Sequence, residues 1–104
     1  SITHHNNSYI NIHTTMKIKN GFELRNICGE NIIISHGKEN INFTKIISLN
    51  ESAALIWNQL FEKDFTIDDM VHILTSEYEV DESTARTDCQ NIADEWHKVG
   101  FLEL

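Results

Sequence analysis

The sequence predicts an α+β fold in which a three-stranded antiparallel β-meander is followed by a three-helix bundle, a winged-helix-like arrangement. Along residues 41–49 apolar and polar side chains alternate, and after Glu51 the apolar residues recur at helical spacing, so a period of two gives way to one near 3.6. The links between the strand segments are too short for the crossovers that parallel strands need. With 104 residues, the chain is long enough for one such domain.

Three segments have the composition of β-strands. The first covers residues 22–28 and is ended by Gly29, and the second covers residues 31–35, with three consecutive isoleucines at its centre. Turn-forming residues at 36–40 separate it from the third segment, residues 41–49, in which Ile41, Phe43, Ile47 and Leu49 share one parity. The outer strands of this meander are sheet edges unless another segment covers them.

Three helices are predicted at residues 51–62, 67–78 and 82–99. Asn50, Thr66 and Asp81 are placed as N-caps, and Asp69 completes a capping box with Thr66. Gly100 is expected to end the last helix, after which residues 101–104 fold back as an apolar tail. Apolar residues at a spacing of three and four give the inward faces: Ala54, Trp57, Leu60 and Phe61; Ile67, Met70, Val71, Leu74 and Tyr78; Ala85, Cys89, Ile92, Trp96 and Val99.

Residues 1–15 contain no Lys, Arg, Asp or Glu and are rich in Asn, Thr and His. Such a stretch has little apolar surface to bury, so we expect a flexible tail, native or expression-derived, ahead of a domain at residues 16–104. Tyr9, Ile10 and Ile12 nevertheless have the strand propensity to lie along a free sheet edge. The histidines of this stretch have no neighbouring Cys or carboxylate, so a polar tail is favoured over a metal site.

The net charge and its distribution along the chain disfavour nucleic acid as a partner. The formal net charge is −8 and the pI is about 5.0, which disfavours nucleic acid because phosphate binding needs clustered Lys and Arg. Residues 1–49 carry five basic and three acidic side chains, whereas residues 50–104 carry three and thirteen. No apolar run approaches the roughly 18 residues of a membrane span, so we expect a cytoplasmic protein that does not bind membranes.

The reactive side chains do not form a recognisable catalytic or metal-binding motif. Cys28, His36 and His72 fall on a predicted strand, a turn and a helix. The two cysteines, Cys28 and Cys89, lack metal-type spacing. The acidic pairs at the helix starts are explained by the favourable interaction of negative charge with the helix dipole. We therefore expect no enzymatic activity, no metal and no cofactor.

The chain resembles the PqqD-like family in the segments 29–34, 47–57, 65–71 and 99–102, of which the run LNESAALIW at residues 49–57 is the most specific. Members of this family are small proteins associated with pyrroloquinoline quinone (PQQ) biosynthesis and other systems that modify ribosomally made peptides. The resemblance covers about residues 20–104 and implies a non-catalytic, chaperone-like domain. Such a domain binds the leader segment of a precursor peptide and presents it to a modifying enzyme, often a radical SAM protein.

The resemblance also implies where the leader binds. In related domains the leader adds as an antiparallel strand beside the third strand, in a cleft shared with the third helix, which is a known mode of peptide recognition. Lys45 shares its parity with Phe43 and Ile47, so it either meets a leader carboxylate or lies along the edge as a lysine that discourages aggregation. The predicted peptide-binding residues are Ile41, Phe43, Lys45 and Ile47 on the strand, and Thr87, Asn91, Asp94, Glu95 and Lys98 on the helix.

Two other functions stay open at this point. A winged-helix DNA-binding regulator would have the same order of elements, but the predicted third helix carries more acidic than basic side chains, which opposes docking on phosphates. A protein–protein adaptor or orphan oligomer would use the same sheet edge. In that case a homodimer would form through the edge or through the N-terminal tail.

Overall fold

The computed structural model describes residues 10–35 and 47–104. In chain order the elements are β1 (Lys17–Ile18), β2 (Phe22–Ile27), β3 (Glu30–Ser35), β4 (Ile47–Leu49), α1 (Glu51–Leu60), α2 (Ile67–Glu77), α3 (Glu82–Lys98) and β5 (Leu102–Glu103). The antiparallel meander and the three helices that follow it confirm the predicted fold class. None of the helices in the described part of the chain has the length and apolar content needed to cross a bilayer.

The meander has the order β2-β3-β4, with Leu24 opposite Ile33 and Ile33 opposite Ile47. A two-residue turn joins β2 to β3, and both of its residues have positive φ, 54° at Cys28 and 85° at Gly29. This left-handed pair matches the twist of a tight hairpin. It explains why β2 ends one residue before the predicted strand end at Cys28. Residues 41–46 of the predicted third strand lie outside the described residues.

A second, two-stranded sheet was not expected from the sequence. β1 pairs antiparallel with β5, with Ile18 opposite Leu102, so the chain end that was predicted to fold back as an apolar tail is a strand. Just before β1, Met16 and Phe65 exchange backbone hydrogen bonds of 2.7 and 2.8 Å. These pairings tie the segment before the meander to the α1–α2 connection and to the C-terminus.

The predicted N-caps are confirmed at all three helices. Asn50 Oδ1 accepts from the Ala53 amide at 2.9 Å, and Asp69 Oδ2 accepts from the Thr66 amide at 2.9 Å to form the capping box. The Thr84 hydroxyl donates to Asp81 at 2.8 Å, and this bond lowers the pKa of the Asp81 carboxyl below its ordinary value.

The helix ends differ slightly from the prediction, for local reasons. α1 stops at Leu60 instead of residue 62 because Phe61 leaves the helical conformation with ψ 129° and Glu62 then adopts φ 67°. α2 stops at Glu77 because Tyr78 is extended.

After α3, Gly100 has φ 90°, its amide donates to His97 O, and the Phe101 amide donates to Trp96 O. This Schellman motif turns the chain back toward the core.

Aromatic side chains from distant parts of the chain meet at Trp57. Its ring lies edge-on to Trp96 and Phe101, at centroid distances of 5.3 and 5.4 Å, and Phe22 contacts Phe101 edge-on at 4.9 Å. Offset and edge-on geometries of this kind are the favourable ones for aromatic pairs. Trp57 therefore joins α1 to α3, to the C-terminal segment and, through Phe101, to the meander.

The inward faces of the helices were predicted with one error, at Tyr78. Tyr78, placed on the core face of α2, is 40% exposed, because the helix ends before it and its side chain leaves the helical stripe. Phe61, Ile92 and Val99 are half-buried and pack against the core, and Ala93, which was not among the predicted residues, is fully buried. Its small side chain allows α3 to pack closely on the core.

Candidate functional site

In the described part of the chain, β4 is an edge strand of the meander. Within the described ranges it pairs with β3 alone, so its other edge is not covered by β1, β2 or β5. Ile47 is half-buried at the start of β4 and packs against the core. Of the four strand residues predicted to bind peptide, the other three, Ile41, Phe43 and Lys45, lie outside the described residues. The described part of the site therefore begins at β4 and continues into the residues that follow it.

Two grooves continue from the end of β4 and share two residues, Asn50 and Glu51. The first has a volume of about 360 Å³ and runs between the start of α1, the end of α2 and the first half of α3. The second has a volume of about 540 Å³ and passes over the ends of β3 and β4. The lining of the first is Asn50, Glu51, Ser52, Leu74, Tyr78, Val80 and Asp88, and that of the second is Gly29, Glu30, Asn31, Ser48, Leu49, Asn50 and Glu51.

We call the first of these the acidic groove. Buried Leu74 and half-buried Val80 give it an apolar floor beside the exposed ring of Tyr78. Glu51 and Asp88 are its charged residues, and neither forms a salt bridge with any residue in the described part of the chain. The groove thus combines an apolar floor with two carboxylates that no described cation neutralises.

The five predicted residues on α3 do not share one face. Because an α-helix turns by about 100° per residue, Thr87, Asn91 and Lys98 lie on its outward side, and all three are exposed. Glu95 lies two turns after Asp88 and so shares the flank that borders the acidic groove. Asp94 projects from the opposite flank. The structure therefore places Glu95 on the same flank as Asp88, although outside the groove lining, and Asp94 on the other flank.

The flank bearing Asp94 is occupied by the N-terminal segment of the same chain. The Ile10 amide donates to Asp94 Oδ1 at 2.7 Å, and Gln90 Nε2 donates to the Ile10 carbonyl oxygen at 2.7 Å. The Ile10 side chain is only 4% exposed and belongs to the core. We call this contact the Ile10 clamp. Neither the burial of Ile10 nor the role of Gln90 was expected from the sequence, which assigned residues 1–15 to a tail.

The remaining polar clusters of the described chain are structural in character. Arg86 donates to Asp68 at 2.7 Å and to Glu82 at 3.0 Å, which links the start of α2 to α3. On the inner face of α3, burial raises the pKa of the Cys89 thiol to about 12, so this thiol is protonated and unreactive at neutral pH. Among the described residues, no group of three or more His, Cys, Asp or Glu side chains is arranged to hold a metal ion.

Comparison with known proteins identifies the family. The family model described as Coenzyme PQQ synthesis protein D (PqqD) matches residues 30–102. The chain belongs to the PqqD family. The match confirms the resemblance predicted from the run at residues 49–57, and it includes β3, β4, all three helices and the acidic groove. Among curated protein sequences, none matches this chain significantly.

Three solved structures share the fold of this PqqD-family chain. The first is TbiB1 in complex with the TbiA(beta) leader peptide, at 21% identity and TM-score 0.66, covering 84% of this chain and 94% of that one. The second is lasso peptide synthetase B1 complexed with the leader peptide, at 21% identity and TM-score 0.65, covering 86% and 98%. The third is the PqqD truncation of Methylobacterium extorquens PqqCD, a stand-alone RiPP recognition element (RiPP: ribosomally synthesized and post-translationally modified), at 15% identity and TM-score 0.71, covering 95% and 99%.

Proposed function

We propose that this chain binds the leader segment of a ribosomally made precursor peptide by strand addition at β4 and presents it to a modifying enzyme. The observation that carries the proposal is the edge of β4 that no described strand covers, which is followed by the grooves at Asn50 and Glu51. An edge strand offers backbone donors and acceptors, and adjacent pockets take alternate side chains of the added strand. Membership of the PqqD family and a fold shared with two leader-peptide complexes support the same function.

Within this proposal the two walls of the peptide site have different roles. The strand wall is the predicted strand segment with Ile41, Phe43 and Lys45, which continues through Ile47. Its backbone supplies the ladder hydrogen bonds. The helix wall is the part of α3 that carries the exposed predicted residues. These are Thr87, Asn91 and Lys98 on its outward side and Glu95 on the flank that also bears Asp88. We leave Asp94 out of the peptide site, because its carboxylate already accepts the Ile10 amide.

The expected affinity follows from the number of contacts. Each ladder hydrogen bond contributes about 0.5–1.5 kcal/mol net, and each buried apolar anchor of the leader contributes about 1.5–3 kcal/mol. Association costs offset part of this sum. We therefore expect a dissociation constant on the order of micromolar.

Peptides with altered backbones test strand addition directly. The parent is the tightest binder found among displayed random peptides and among precursors encoded beside this gene, and we call it the probe peptide. Methylating one backbone nitrogen at a time removes single donors, so every second position should weaken binding by about fivefold, at about 1 kcal/mol per hydrogen bond. The intervening positions, whose amides point away from β4, are the matched controls.

Nuclear magnetic resonance locates the same interaction on the protein. Adding the probe peptide to 15N-labelled protein should shift amides in β4 and on the exposed side of α3, and a scrambled peptide of the same composition should not. Equal sensitivity to methylation at all positions would contradict strand addition. Binding that leaves β4 unperturbed would contradict the site itself.

The enzyme partner is a further part of the proposal. A radical SAM protein is the class of modifying enzyme that we expect, and its affinity for this chain should be measured with and without the probe peptide. Because the leader bridges the two proteins in this scheme, the precursor should be modified faster when this chain is present. A modification rate that does not respond to this chain would contradict presentation while leaving leader binding intact.

Two outcomes would favour the alternative functions. Salt-dependent binding to duplex DNA would indicate a regulator, although the one arginine of α3, Arg86, is already paired with two carboxylates. A homodimer that dissociates when the probe peptide is added would indicate that a second copy competes for the β4 edge. Sedimentation velocity with and without the peptide distinguishes this dimer from a monomer.

A further inference from the structure

The acidic groove has more specific chemistry than strand addition requires. A ladder of backbone hydrogen bonds is independent of sequence, so selection among peptides must come from the pockets beside the strand. In this groove an apolar floor of Leu74 and Val80 lies next to the half-exposed ring of Tyr78. Such a floor fits one large apolar side chain of a bound segment.

The groove also has a definite electrostatic preference. Glu51 and Asp88 form no salt bridge within the described ranges, and residues 50–104 carry thirteen acidic side chains against three basic ones. The start of α1 does not offset this charge. Asn50 Oδ1 already accepts the Ala53 amide and the Ser52 hydroxyl, at 2.9 and 3.2 Å. The groove therefore favours a cation over an anion.

We infer that the acidic groove selectively binds a leader segment in which a large apolar residue is followed or preceded by Lys or Arg. The inference rests on the proposed function, because the groove continues from the end of β4 through Asn50 and Glu51. In this scheme a leader strand that extends past Leu49 comes next to the groove residues Asn50 and Glu51. The apolar residue packs against Tyr78 and Val80, and the cation lies between Glu51 and Asp88.

A displayed library of random peptides tests this specificity. Selection on the wild-type chain should enrich Lys or Arg at one fixed position beside a large apolar residue. Selection on the double variant Glu51→Gln, Asp88→Asn should lose that enrichment. The matched control, Asp64→Asn, Glu103→Gln, removes the same charge at exposed positions that do not line the groove, and it should keep the enrichment. Thermal unfolding of all three proteins confirms that each is folded.

Binding titrations measure how much the affinity depends on the basic residue of the peptide. The probe peptide with Lys should bind the Glu51→Gln, Asp88→Asn variant about 3- to 10-fold more weakly than wild type at low salt, the range expected for two partly exposed ion pairs. A citrulline or glutamine version of the same peptide should bind both proteins equally. High salt should reduce the difference, because it screens charges at the rim of a site.

The outcomes separate this inference from the proposed function. Selected peptides that bind β4 with alternating sensitivity to N-methylation, but without a fixed basic position, would overturn the inference and leave strand addition in place. A basic preference that survives in the double variant would also overturn it. If no peptide perturbs β4 at all, both the inference and the proposed function fail.

Discussion

The two flanks of α3 carry similar polar side chains and have opposite roles. On one flank Gln90 and Asp94 bind both backbone groups of Ile10, whose side chain is buried. On the other flank Asp88 borders a groove in which Tyr78 stays 40% exposed. The first flank is closed by the chain's own N-terminal segment, and the second lies beside a strand edge that no described segment covers.

This difference shows that the residue type does not decide the role of a polar position on a helix. Asp88 and Asp94 are chemically identical, and both lie within the same 17-residue helix. Asp94 is satisfied by an amide 84 residues away in the chain, whereas Asp88 faces a groove. The carboxylate that already has a partner contributes to stability, and the one without a described partner is the one that we propose to bind a ligand.

The largest expected effect concerns Cys89, which lies on the inner face of α3 between the two flanks. With its pKa raised to about 12 by burial, about one Cys89 thiol in ten thousand is ionised at pH 8, against roughly one in four for an ordinary thiol. Iodoacetamide should therefore label exposed Cys28 and leave Cys89 unmodified until the protein unfolds. Intact-mass spectrometry over time measures both rates. Simultaneous labelling of the two cysteines would contradict the packing of α3.

Removing the Ile10 side chain should have the largest effect on stability. Ile10→Ala deletes buried apolar atoms from the core, at a cost of about 2–4 kcal/mol. Ile12→Ala is the matched control, because Ile12 is 40% exposed and two residues away; it should change the free energy of unfolding by less than about 0.5 kcal/mol. Urea unfolding compares the two. Equal midpoints would mean that the N-terminal segment does not hold α3 in solution.

The polar half of the Ile10 clamp should contribute less. Asp94→Ala leaves the Ile10 amide without its acceptor and should cost about 1–2 kcal/mol, and Gln90→Ala should cost a similar amount through the Ile10 carbonyl oxygen. Asp94→Asn keeps an acceptor oxygen and should recover most of the loss. None of the three should alter the affinity of the probe peptide, measured by titration calorimetry. Weaker peptide binding by Asp94→Ala, at unchanged stability, would return Asp94 to the peptide site predicted from the sequence.

The features that the sequence predicts correctly are local ones. The caps at Asn50, Thr66 and Asp81 depend on residues within three positions of each other. Asn50 and Asp81 accept the expected amides, and the Thr66 amide donates to Asp69. The change of period at Glu51 likewise marks the real start of α1. Short-range hydrogen bonding and periodicity are fixed by neighbouring residues, so a single sequence is enough to find them.

The features it misses depend on segments that are far apart in the chain. Ile18 pairs with Leu102, Met16 pairs with Phe65, and Ile10 contacts the far side of α3. Each pairing involves a strand or segment too short for a periodic signal. The same reason explains why Asp94 was grouped with Asn91 and Lys98: helical spacing reveals which residues are neighbours on a helix, but not which flank a distant segment covers.

The smallest effect on stability, and the clearest on binding, is expected at the open flank. Tyr78→Ala removes a ring that is 40% exposed beyond the end of α2, so the free energy of unfolding should change by less than about 0.5 kcal/mol. The same change removes apolar contact from the acidic groove and should lower the affinity of the probe peptide by about fivefold, equivalent to about 1 kcal/mol. Leu104→Ala, which shortens another exposed apolar side chain, is the control and should leave the affinity unchanged. Ile10→Ala and Tyr78→Ala would then have opposite signatures, with stability lost at the closed flank and affinity lost at the open one. If Tyr78→Ala lowers stability instead of affinity, the open flank is part of the core and the acidic groove does not bind the leader.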